Sequence, residues 1–250
     1  MRPDAPTSNV QNLRLRDDEG AARVAIGWLA QRHRKGWHNA LGELLRMWQP
    51  DSSEDLMDLD DDSTTMISTN ASEWLLARGQ MHARGGLREI NGYVLGREGP
   101  FFTPGQRAWL AQLRHRPLRL YRVTDVRPGE GMTLVDELDQ QAPPQIVREN
   151  SGIEMAHPGL LLAVRIMQVG VHTGGADGHL ELSGALYPFA KLREPQVLYR
   201  VRRAREGAAM LQLHPENVRD FLELEIAGAW LEQWFTPVPI PQIHDPENGS

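Results

Sequence analysis

The apolar positions of this chain follow two rhythms. Toward both ends they recur at three- and four-residue intervals, the period of a helix with one buried face. Between residues 117 and 190 they fall into short runs separated by turn residues, the pattern of closely spaced strands. The first helical stretch follows Asp17, Asp18 and Glu19, acids that suit a helix start, and carries Val24, Ile26, Trp28 and Leu29. In residues 37–48, Leu41, Leu44, Leu45 and Trp48 recur at i, i+3, i+4 and i+7, so a helical hairpin bending around Gly36 is expected. Residues 50–65 hold seven acids and no base, which reads as a solvated linker or loop.

Asn70 or Ser72 then caps a short helix bearing Trp74, Leu75 and Leu76. The Asn91-Gly92 pair predicts a hairpin turn between residues 87–90 and 93–95. Thr103-Pro104-Gly105-Gln106 spells a capping box with proline at the first helical position. Trp109, Leu110 and Leu113 follow on one face, and Pro117 stops that helix. Five strands are expected over 118–126, 132–138, 145–149, 160–171 and 179–189, each pair divided by a turn signal such as Pro128-Gly129 or His157-Pro158-Gly159. Residues 196–206 fit helix or strand. His214-Pro215-Glu216 opens a long helix along Val218, Phe221, Leu222, Glu225, Ala229, Trp230 and Trp234, and Pro237, Pro239 and Pro241 end it.

These elements predict an α+β protein: a small curved sheet or barrel of about five strands, bracketed by helices and preceded by a helical N-terminal segment. The organisation expected is a helical segment 1–49, an acidic linker or loop 50–65, an α+β core 66–236 with its β-rich part at 117–190, and a Pro-rich tail 237–250.

The stretches "PLRLYRVTDVRPGEGMTLVDELD", "VRENSG", "HPGLLLAVRI" and "LSGALYPF" resemble the central region of uncharacterised bacterial proteins that often end in a SEC-C motif. "WLLARG" and "FFTPGQRAWLAQL" sit where those proteins place a Trp-bearing helix and a second helix, so the resemblance spans roughly residues 70–235. It implies the same succession of strands and turns, and it brings no established reaction. The SEC-C tail is a zinc site of cysteines, and this chain has none, so that metal site is missing. The ending "VPIPQIHDPENGS" resembles a stretch that continues in some of those proteins.

The absence of cysteine among 250 residues also excludes a disulfide framework, a zinc ribbon, an iron–sulfur cluster and a thiol nucleophile. No apolar run approaches the ~20 residues of a membrane span, so a cytoplasmic chain without membrane contact is expected. The net charge is −6. The seven acids of 51–62 account for more than all of it, leaving the rest at +1. Nearly every base is arginine; Lys35 and Lys191 are the only lysines.

No catalytic, metal or cofactor site is assigned from the sequence. There is no phosphate-binding Gly-Lys-Ser/Thr loop, no HExxH and no Gly-x-Ser-x-Gly elbow. Asp125, Asp136 and Glu137 form a carboxylate group that Arg122 and Arg127 can neutralise. The binding candidates are two arginine groups, Arg114, Arg116, Arg119 and Arg122, and Arg200, Arg202, Arg203 and Arg205. The seven tryptophans all fall on expected helices and read as core packing against the sheet, with Trp230 and Trp234, near the Pro-rich end, as the alternative anchors for a protein contact. The leading expectation is a non-catalytic adaptor with a protein partner. A nucleic-acid-associated protein using the arginines is the second reading, and a hydrolase built on His172, Asp177 and His179 is the third.

Overall fold

The computed structural model describes residues 20–48, 59–148, 155–170 and 178–235. The expected N-terminal helix pair is present as α1 (Ala21–Arg32) and α2 (Arg34–Trp48). Its break falls at His33, whose N–H bonds the Leu29 carbonyl at 2.9 Å, and not at Gly36. Gly36 lies inside α2, where a Cβ would come within 2.4 Å of the His82 carbonyl oxygen. The glycine therefore serves a close approach between helix and strand rather than a turn.

Helix α3 (Asp61–Arg78) begins about ten residues before the expected cap. Asp60 Oδ1 accepts the Ser63 N–H at 2.8 Å, and Asp61 and Asp62 occupy the first turn. Part of the predicted linker is thus a helix start, because acids that repel along a coil are favourable at the positive end of a helix dipole. Residues 49–58, the remainder of that stretch apart from its edges, lie outside the described residues. From Asn70 to Ala77 every residue of α3 is buried, so this helix runs through the middle of the molecule.

The hairpin expected at Asn91-Gly92 is displaced. Strands β1 (Gln80–Ala83) and β2 (Gly86–Glu89) pair around Arg84-Gly85, with Gly85 at φ 93° and Gly86 at φ 116°. Asn91 and Gly92 belong to a short helix, α4 (Ile90–Val94), where the Asn91 side chain donates to the Leu110 carbonyl at 2.8 Å. Helix α5 (Pro104–His115) starts with the predicted capping box: the Gln106 N–H donates to Thr103 Oγ1 at 3.1 Å and the Thr103 N–H to Gln106 Oε1 at 3.2 Å.

The β-rich region forms seven strands: β3 (Arg119–Arg127), β4 (Gly131–Asp136), β5 (Gln145–Arg148), β6 (Leu161–Val164), β7 (Ile166–Val169), β8 (His179–Leu182) and β9 (Tyr187–Phe189). They form one sheet in the order β7-β8-β5-β4-β3-β6-β9, curled into a half-barrel. Seven replaces five because two expected strands are each divided. β6 and β7 are halves of one strand bent at Arg165, and β8 and β9 are halves of its partner, which bulges at residues 183–186. The Ser183 N–H still reaches the Arg165 carbonyl at 3.0 Å across the bend. Counted through these bends, five long strands form a ring of hydrogen-bonded neighbours in which only the β5/β8 contact is parallel. Five strands wound in this way give a partly open, curled sheet.

Two apolar clusters meet on the bent strand. Leu162, Val164 and Ile166 point into the barrel with Tyr121, Val123, Met132, Leu134 and Val147. Leu161, Ala163, Met167 and Val169 point outward into a larger core made mainly by helices. Burial on both faces explains why this strand reads as a continuous apolar run. The helices closing the core are α6 (Glu194–Met210), which resolves the ambiguous 196–206 as helix, and α7 (Pro215–Phe235). At Gly228 of α7 a Cβ would sit 3.6 Å from the Trp48 carbonyl, so the end of α2 packs directly on α7. No helix among the described residues is long and apolar enough to cross a membrane.

Candidate functional site

The alternation that sends odd-numbered residues of the bent strand toward the helices also sends Arg165 there, and its side chain is 1% exposed. Arg165 Nη2 donates to Glu223 Oε2 of α7 at 2.8 Å, and its Nε lies 3.7 Å from Glu73 Oε1 of α3. Glu73 also accepts from the Ser183 hydroxyl at 2.8 Å and the Ala185 N–H at 3.0 Å. Glu223 accepts from the Leu118 N–H at 3.2 Å and from Arg78 Nη2 at 3.3 Å. Burial pushes the Glu73 carboxyl above its ordinary pKa, and the Arg165 guanidinium and the two hydrogen bonds only partly offset this. The cluster ties α3, α7 and the bend of the strand to one buried cation. Its charges hold one another as a clasp, although Arg165 Nε and Nη1 are buried without a hydrogen-bond partner.

Most of the arginines expected at a binding site are already paired. Arg114 meets Glu89 at 2.8 Å, Arg119 meets Asp136 at 3.0 Å, and Arg116 Nε donates to Gln112 at 3.0 Å. Arg122 joins Glu137 at 2.6 Å and Glu194 at 2.8 Å. Arg200 bridges Glu225 and Glu232 of α7, and Arg205 donates to the Leu138 carbonyl. Within the two groups, Arg202 and Arg203 are exposed with no partner among the described residues. The structure thus spreads the first group along α5 and β3 and leaves the free charge of the second on α6.

Trp230 is fully buried, edge-on to Tyr187 at 5.0 Å and to Trp234 at 6.1 Å. That agrees with core packing and corrects the alternative reading of Trp230 as a surface anchor: the spacing that puts it on one face of α7 puts that face in the core. Trp234 is only half-buried, at the edge of the same cluster. Of the third reading's residues, His172 and Asp177 lie outside the described residues, and His179 pairs with Glu181. The strand carboxylates are each taken by an arginine: Asp125 by Arg127, Asp136 by Arg119 and Glu137 by Arg122. Among the described residues no three His, Asp or Glu side chains come together to hold a metal ion.

A chain of polar aromatics lies at the α1–α2 break. Tyr93 Oη donates to Glu98 at 3.2 Å and lies 3.2 Å from His33 Nε2, with the Trp28 ring tilted against the His33 ring at 4.8 Å. Desolvation and then Arg32 hold the His33 pKa down, while desolvation and Glu98 push that of Tyr93 up. Both shifts favour the neutral forms of His33 and Tyr93.

A cleft of about 850 Å³ lies between α6 and the β4–β5 connection. Residues 137–141 form one wall, and Arg202, Arg205, Glu206 and Ala209 the other. The next residues of the chain form an exposed apolar elbow between α6 and α7. Met210 is 83% and Leu211 73% exposed, and Leu213 is exposed beside them in sequence. The elbow is an ordered turn. The Leu213 N–H donates to the Ala208 carbonyl and the Gln212 N–H to the Ala209 carbonyl, both at 3.1 Å, the paired bonds of a Schellman motif. Gln212 occupies the left-handed position at φ 50°.

No family model, curated protein or solved structure matches this chain. Glu73, Arg165 and Glu223 were not singled out by the sequence reading. Their signal is a lone charge inside an apolar stretch: Arg165 in "LLLAVRIMQV", Glu73 in "NASEWLLA". Such a charge must find a partner when its neighbours are buried.

Proposed function

We propose that this chain is a non-catalytic adaptor of the cytoplasm that engages a protein partner through the α6–α7 elbow. The observation that carries this reading is the elbow itself. Large apolar side chains stand in solvent on a turn fixed by backbone hydrogen bonds, where a flexible loop would more readily fold them away. Exposed apolar side chains held in ordered geometry favour association. The internal neutralisation of four of the eight candidate arginines supports the same choice over a phosphate-binding surface.

The nucleic-acid reading keeps one support, the strand order. In five-stranded Greek-key barrels of the oligonucleotide/oligosaccharide-binding type, whose strand order this one resembles, the face of the second and third strands binds oligonucleotides. Here those strands are β4 and β5, whose sequences GMTLVD and QIVR contain no aromatic on which a base could stack.

The test is affinity capture followed by cross-linking, with the parent chain and a Met210→Asp/Leu211→Asp variant. The adaptor reading expects a partner held by the parent and lost by the variant, with the folded signal of the tryptophans unchanged. Identical recovery by both chains overturns it. Salt-sensitive binding of a single-stranded oligonucleotide would instead favour the second reading.

A further inference from the structure

We infer that α6 pairs antiparallel with α6 of a second copy of this chain, forming a two-fold dimer. This contact is separate from the one proposed for the adaptor's partner at the elbow. One row of exposed residues runs along α6 and the turn 191–193 that leads into it: Leu192, Gln196, Tyr199, Arg203, Glu206 and Met210. Their separations alternate between four and three residues, the spacing of a seam at which two helices meet. Val197, Val201 and Ala208 lie on the opposite face and are buried against the rest of the molecule, so the row points away from it.

Leu192 is 70% and Tyr199 65% exposed, and Met210 stands out further still. A single exposed apolar side chain is ordinary on a surface. Three of them at the start, middle and end of one row make a contact strip about 27 Å long.

The row is complementary to itself. With two helices antiparallel and the two-fold axis at the level of Val201, Leu192 faces Met210 of the second copy, Gln196 faces Glu206, and Tyr199 faces Arg203. The axis repeats each pair. The outer pairs are apolar, the next lets an amide donate to a carboxylate, and the inner lays a guanidinium on a tyrosine ring. Arg203 and Glu206 are both exposed with no partner among the described residues, so neither must leave one to pair in this way.

The charges also fix the direction. Parallel helices in register would set Arg203 on Arg203 and Glu206 on Glu206, which like-charge repulsion disfavours. Arg202 borders the row beside the axis, so one like-charge pair stays at the rim, where salt screens it. A strip of this size falls below the interfaces of permanent dimers, so the pairing is reversible, with a dissociation constant in the micromolar range. It carries the two elbows to opposite ends of the helix pair, and a dimer therefore presents Leu211 and Leu213 twice.

The test is sedimentation velocity of the full chain from micromolar to submillimolar concentration, where a reversible monomer–dimer equilibrium is expected. Tyr199→Arg sets arginine against Arg203 of the second copy, and Arg203→Glu sets a carboxylate against the Tyr199 ring. Each variant alone should weaken the dimer by about tenfold while keeping the circular dichroism of the parent. In an equimolar mixture of the two, the introduced arginine meets the introduced glutamate, and the remaining native tyrosine and arginine meet across the axis. Dimer should therefore reappear in the mixture. Leu211→Asp, which lies off the row, should leave dimerisation unchanged. A parent that stays monomeric throughout, variants that dimerise as the parent does, or a mixture no more dimeric than its components overturns the inference. Loss of the dimer in Leu211→Asp would assign the association to the elbow and overturn it as well. Dimerisation that persists while elbow-dependent capture of a partner fails removes the adaptor reading alone.

Discussion

Arg165 and Arg202 are the same side chain put to opposite uses. Arg165 is buried between two carboxylates at the bend of a strand, and Arg202 stands on α6 with no partner among the described residues. A buried ion pair returns little net stability when formed, but removing one member strands a charge that cannot reach water. An exposed arginine contributes almost nothing to the fold and remains available to a ligand. In a chain whose bases are nearly all arginine, burial separates the two roles where composition cannot.

The contrast predicts a graded series of effects. Arg165→Met should cost about 3–5 kcal/mol in urea unfolding, because Glu73 and Glu223 lose their shared cation. A loss below about 1 kcal/mol would mean the clasp is dispensable and erase the difference from surface arginines.

Next comes a pH effect at Glu73. Its folded pKa lies above the ordinary carboxylate value, so the folded state takes up a proton before the unfolded chain does. Its contribution to stability is therefore fully present below the unfolded pKa and is lost as pH rises through the raised folded value. Glu73→Gln removes this titration. On acidification across that window the parent should gain stability relative to the variant, measured as the difference in their urea midpoints. A difference that stays constant with pH would show that Glu73 titrates normally.

Smaller changes belong to the exposed side. Gln212→Gly should raise stability by about 0.5 kcal/mol, since glycine takes the left-handed position at φ 50° without a side-chain clash. A clear loss in thermal midpoint would instead assign the Gln212 side chain a structural contact. Last, Arg202→Gln should shift stability by less than about 0.5 kcal/mol. A larger loss would place Arg202 in the fold and remove it as a recognition group.

The features legible in the sequence are those decided locally. The capping box at Thr103, the stop before Pro117, the helix opening at Pro215 and the strand-and-turn rhythm of 117–190 each depend on residues within one turn of one another. What went unread depends on distant partners. Asn91-Gly92 looks like a hairpin turn until Leu110 offers its carbonyl to the Asn91 side chain and the segment becomes helix. Gly36 looks like a bend until His82 closes on it. The run 160–171 looks like one strand, and whether Arg165 bends it depends on Glu73 and Glu223, which lie far away in the chain. The candidate site was partly legible. The arginines of α6 were identified, but the separation of Arg202 from Arg200 and Arg205 required knowing which carboxylates and carbonyls α7 and the β4–β5 connection place beside them.

The bent strand through Arg165 is a party wall, with the barrel interior on one side and the helical core on the other. Neither compartment can open while the other stays closed, because each would have to leave that wall half-solvated. The molecule is therefore expected to melt as one cooperative unit despite having two apolar centres, with the backbone amides of β6 and β7 in its slowest-exchanging set.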